Sequence, residues 1–65
     1  MQVNSSHIDD VDWEGGQMTV VFRDGGKYVY YDVPEGIYRE LLSAPSVGKF
    51  FAANVKGMFE HQKVA

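Results

Sequence analysis

The chain has 65 residues, a net charge of -3 and no cysteine, and each of these excludes something. A chain of this length buries only about 60% of its unfolded surface, so its apolar residues must be used fully, and a marginal fold or one stiffened by a partner is expected. Disulfide staples and cysteine-rich zinc sites are ruled out, and a net negative charge argues against general nucleic-acid binding, where Lys and Arg neutralise phosphates.

The charge is uneven along the chain. Residues 1–32 hold six acids against Arg23 and Lys27, whereas residues 33–65 hold four bases against three acids. An anionic partner would therefore meet the C-terminal half. No apolar run approaches the roughly 20 residues of a membrane span. The start Met1-Gln2-Val3-Asn4 lacks the basic and apolar regions of a signal peptide. The expectation is one soluble, cytoplasmic domain over residues 1–65, ordered from about 5 to 60, with no membrane association and no cofactor.

Ser5-Ser6-His7 leads into a first strand of about six residues carrying Ile8, Val11 and Trp13. Ile8 and Val11 have opposite parity, so this strand either contains a bulge or is buried on both faces. Asp9, Asp10, Asp12 and Glu14 are carboxylates of the kind hard cations bind. Their spacing matches no loop motif, however, and successive strand residues point apart. They are read as a solvated edge that discourages strand addition, and no metal is expected. Glu14-Gly15-Gly16-Gln17 turns the chain into the next strand.

Met18 to Val33 organises the rest. Met18, Val20 and Phe22 alternate as a half-buried strand requires, and Tyr28 and Tyr30 repeat the spacing after Asp24-Gly25. A two-residue Asp24-Gly25 turn would put the tyrosines on the face opposite Met18. A three-residue Arg23-Asp24-Gly25 loop closed by a left-handed Gly25 pairs Val20 with Tyr28 and Met18 with Tyr30. The second is chosen because it gathers five large side chains on one face. Thr19, Val21, Lys27, Val29 and Tyr31 then occupy the other.

From Val33 the period becomes helical. Pro34 suits the first helical position and Glu35 favours the dipole. Ile37, Tyr38, Leu41 and Leu42 make a stripe that packs on the hairpin, and Pro45 ends the helix near Ser43. Ser46 caps a second helix. Val47, Phe51, Val55, Met58 and Phe59 occupy one side of it. Lys49, Lys56 and Lys63 recur every seven residues on the other if the helix reaches that far. Asn54 falls in the apolar sector, read as a buried polar group holding nearby backbone, and Gly48 lets the helix approach the sheet. Residues after about Gln62 are expected to fray. The resulting fold class is α+β: a three-stranded antiparallel sheet followed by two helices on one face. Its core comprises Met18, Val20, Phe22, Tyr28, Tyr30, Ile37, Tyr38, Leu41, Phe51, Val55 and Phe59.

Catalytic signatures are absent from the sequence. His7 and His61 belong to no metal-ligand spacing, Ser6 and His7 face opposite ways on a strand, and the Gly-Gly pairs sit in hairpin turns rather than a phosphate loop.

An ordered set of residues runs from Ser5 to Phe59: Ser5-Ser6, Ile8, Met18-x-Val20-x-Phe22, Asp24-Gly25, Tyr28-Val29-Tyr30, Val33-Pro34, Tyr38, Ala44 with Ser46 and Gly48, Phe50-Phe51, Val55-Lys56 and Phe59. In order and spacing it resembles the KTSC domain family, found at the C-terminus of some lysyl-tRNA synthetases and as a free-standing small bacterial protein. Trp13-Glu14 stand where the family tends to have Tyr-Asp, and Val55-Lys56 where it often has Ile-Arg. Lys56 keeps the charge but loses a planar, bidentate donor. The resemblance implies no established activity, and RNA binding only through the synthetase context.

The expectation is a small non-catalytic binding domain. The first reading is a protein-interaction module or accessory factor with an unidentified protein partner, using an open sheet face of Val21, Arg23, Lys27, Val29 and Tyr31. The alternative is RNA or single-stranded nucleic acid, through Tyr31 with Arg23 and Lys27, or through Lys49 and Lys56. A further alternative is an anion site of Ser46, Gly48 and Lys49 at the second helix N-terminus.

Overall fold

The computed structural model describes residues 2–65. Three strands, β1 (Ile8–Glu14), β2 (Gln17–Phe22) and β3 (Lys27–Tyr30), are followed by two helices, α1 (Glu35–Ser43) and α2 (Val47–Asn54). A short strand β4 (His61–Lys63) then returns to β3, giving an antiparallel sheet in the order β1-β2-β3-β4. The fold is α+β with both helices on one sheet face.

Parity decides the architecture, and the three-residue loop is the one formed. Val20 pairs with Tyr28 and Met18 with Tyr30. The Phe22 and Gly26 backbones close the loop at 2.8 Å, and Gly25 holds φ +97°. An L side chain is strained at that φ, and no neighbour crowds the position. Gly25→Ala is therefore expected to cost about 1–2 kcal/mol in urea unfolding through the backbone alone.

The parity conflict in β1 is resolved by a bulge. Ile8 pairs with Phe22 and Asp10 with Val21, so Asp9 is the extra residue, and Ile8 and Val11 both point inward. The outer edge of β1 is partly taken up by the chain itself: Gln2 bridges Asp10, and the Val3 N–H donates to the Asp9 carbonyl at 3.3 Å. Trp13 ties β1 to the start of α1. Its Nε1 donates to the Val33 carbonyl at 2.7 Å and its ring stacks on Tyr38, centroids 6.4 Å apart.

Pro34 stands just before α1, and Ala44 before Pro45 is extended, ψ 142°, as a residue preceding proline must be. Beneath the helices Met18, Val20, Tyr30, Leu41, Phe51 and Val55 are buried, together with Ile8, Val11, Val33 and Val47. Phe22, Tyr28, Ile37, Tyr38 and Phe59 pack half-buried against them.

The chain after Asn54 departs from the sequence expectation. α2 does not continue to Phe59. Val55 and Lys56 both donate to the Phe51 carbonyl, and Met58 donates back to Val55 across a turn in which Gly57 has φ +80°. A glycine accepts that φ freely, and the helix stops there. Val55 is buried as foreseen, but from the turn; Met58 is exposed. Lys49, Lys56 and Lys63 consequently share no helix face. Residues beyond Gln62 are paired rather than frayed, with Val64 donating to the Lys27 carbonyl at 2.8 Å. Asn54 is exposed, its Nδ2 donating to the Phe50 carbonyl one turn back. Gly48 faces Ser5 and His7 rather than the sheet.

Candidate functional site

β4 makes the site. Because it extends the sheet past β3, its inward residues His61 and Lys63 lie opposite Tyr30 and Tyr28, beyond the part that the helices roof. A concavity of about 600 Å³ opens there, within the roughly 300–1,000 Å³ of small-ligand sites. Phe22, Tyr28, Tyr30 and Phe51 form its apolar floor and wall. His61, Lys63 and Lys56 supply its basic groups, and Asp24, Gly25, Gly26 and Ala65 close the hairpin end.

The rings form one connected set. Phe51 meets Tyr30 edge-on at 5.4 Å and Phe22 at 5.6 Å, and Phe22 meets Tyr28 edge-on at 5.5 Å. Such contacts hold aromatic groups in fixed orientation. His61 stacks on Tyr30, centroids 5.2 Å apart and planes 30° apart, and lies 5.9 Å from Tyr28. Burial, with a smaller contribution from Tyr28, pushes the Tyr30 phenol above its ordinary range. Tyr30 therefore stays neutral at physiological pH, and the charged side chains of the cavity are Lys56, Lys63 and Asp24.

Lys56 is the residue of the cavity that the sequence had already singled out for an anionic ligand. Lys49 is not there. It lies at the start of α2, where its N–H donates to the Ser46 hydroxyl at 3.3 Å. Ser46 thus acts as a helix cap, beside Ser5, His7 and Gly48.

The opposite sheet face is left uncovered by the helices. Val21, Val29 and Tyr31 on it are half-buried, and the Tyr31 hydroxyl donates to Gln62 Oε1 at 3.1 Å. Arg23 turns away, its Nε donating to the Ser5 carbonyl at 2.6 Å. This face also carries Asp10 opposite Val21, Asp12 opposite Thr19 and Glu14 opposite Gln17, so a phosphate chain meets carboxylates there.

Sheet order thus separates the charge. The acids of β1 lie at one edge and the basic residues of β4 at the other, three strand spacings or about 14 Å away. Among the described residues no three His, Cys, Asp or Glu side chains converge as a metal site needs, and no helix is long and apolar enough to cross a membrane.

The KTSC domain family model matches residues 4–59. The chain belongs to the KTSC domain family. A KTSC domain protein of Yersinia pestis, known from a crystal structure, superposes with a TM-score of 0.95 at 33% identity, covering all of this chain and 94% of that one. A protein of Tsukamurella paurometabola is 34% identical over 59 residues, 88% of each chain. The lysine–tRNA ligase of Trichormus variabilis is 35% identical over 48 residues, which are 74% of this chain and 9% of the ligase. KTSC domains thus occur both as a small part of a much longer enzyme and as a protein of about this chain's length.

The sequence pointed to Tyr28 and Tyr30 only as core, and His61 and Lys63 were missed as ligand candidates. The available signal was Gly57, since a glycine after an apolar helical stripe marks a stop.

Proposed function

We propose that this KTSC domain is a non-catalytic binding domain of the cytosol that takes single-stranded RNA in the cavity between β3, β4 and α2. The observation that carries the proposal is the convergence there of an aromatic set with Lys56, Lys63 and His61, in a chain that is acidic overall. Single strands present both chemistries such a cavity accepts. A base stacked on an aromatic ring contributes roughly 1–3 kcal/mol, and each phosphate met by a lysine releases counterions. The reading is supported by the name of the ligases that share this domain, lysine–tRNA ligase.

The protein-interaction reading relies on the opposite face. Its apolar content is Val21, Val29 and Tyr31, all half-buried and bordered by acids, which leaves little area to bury against a partner.

The test is a fluorescence-anisotropy titration with a short uridine oligonucleotide over a range of salt. With two lysines engaged, log K should fall with log salt at a slope of about -1.4. Absence of binding at low salt, or affinity indifferent to salt, would count decisively against RNA.

A further inference from the structure

We infer that His61 is the ring on which the cavity's base stacks, and that its charge makes binding proton-linked; this rests on the single-stranded RNA reading of the cavity. Of the rings gathered here, Tyr30 is only 4% exposed and Phe51 5%, so neither has a face to offer a ligand, and Phe22 and Tyr28 are half-buried and packed edge-on against each other. His61 is exposed. One of its faces lies on Tyr30 at 5.2 Å and 30°, so a base entering the cavity extends the Tyr30–His61 stack by one more ring. The short strand β4 fixes its direction, because His61 is paired opposite Tyr30.

Tyr28 and Tyr30 from β3 lie against this ring. The other charged side chains lining the cavity are Lys63 from β4, Lys56 from the turn after α2 and Asp24 from the hairpin loop. A histidine side chain changes charge between about pH 5 and 8. Protonated, it adds a third cation to the two lysines, with the Asp24 carboxylate in opposition. Bound phosphate favours the charged form, so the complex holds the proton more tightly than the free protein. The sign follows from linkage: affinity is highest below the histidine range and falls as pH rises through it.

Uridine and internal phosphodiesters take up no proton in this window, so a uridine oligonucleotide without terminal phosphates assigns any pH effect to the protein. Binding to the full chain should be about fivefold tighter at about pH 5.5 than at about pH 8. His61→Phe should keep the affinity seen at the alkaline end and lose the pH dependence, because it retains a stacking face without a charge. His61→Ala should lose both the pH dependence and at least about fivefold in affinity. His7→Ala, beside Gly48 at the start of α2 and outside the cavity, should retain the full pH response.

Wild-type binding that is flat with pH, or a His61→Phe variant that still tightens in acid, overturns the inference and leaves RNA binding standing. An oligonucleotide that binds at neither pH overturns the RNA reading, and the role of His61 with it.

Discussion

Lys56→Glu combined with Lys63→Glu is expected to weaken oligonucleotide binding by about a hundredfold or more at low salt. The same variant should unfold at the urea concentration of the parent. The two side chains approach the cavity from different segments, one from the turn after α2 and one from β4, and both are exposed. Reversing them removes the cations that would neutralise phosphates and places carboxylates beside Asp24. Neither change touches the core. Lys56 secures the end of α2 through its backbone N–H to Phe51, which any residue but proline supplies. Lys27→Glu with Lys49→Glu alters the net charge equally, but Lys27 lies on the other sheet face and Lys49 at the start of α2. That control pair should change affinity by less than about threefold, as expected of charges outside the contact. A comparable loss in both variants would mean that overall charge, not the cavity, governs binding.

The largest effect on stability is expected from Leu41→Ala, at about 2–5 kcal/mol. Leu41 is fully buried beneath α1, and its truncation leaves a cavity between helix and sheet. For a 65-residue chain the total stability is on the order of 3–10 kcal/mol. The loss is therefore a large part of the whole, and the variant should be partly unfolded at room temperature. Leu42 is only half-buried, and Leu42→Ala should cost roughly half as much or less. Urea unfolding followed by circular dichroism separates the two. A Leu41→Ala cost below about 1 kcal/mol would mean that α1 does not pack on the sheet as described.

What the sequence disclosed and what it withheld divide along physical lines. The hairpin register, the stop before Pro45 and the Ser46 cap were legible because each is fixed by neighbours within a few residues, whereas the parity conflict in β1 left a bulge and two-sided burial both open. The end of α2 was hidden because Val55, Met58 and Phe59 continue the apolar spacing of Val47 and Phe51 past the helix, outweighing the stop at Gly57. β4 was hidden for a different reason. His61, Gln62 and Lys63 are all exposed, so no apolar alternation announces a strand, and the strand exists because β3 offers it an open edge. The cavity depends on β4, so it was withheld as well. Of the residues that line it, only Lys56 was named beforehand for an anionic partner. Tyr28 and Tyr30 were read as core aromatics; Tyr30 meets Phe51 of α2, and both rings also line the cavity.

The central claim is that ligand enters at the β3–β4 edge, and amide chemical-shift mapping with a uridine oligonucleotide tests it most directly. Shifts are predicted at Tyr28, Tyr30, Lys56, His61 and Lys63. Shifts gathered instead on Val21, Val29 and Tyr31, or on Ser46 to Lys49, would contradict it.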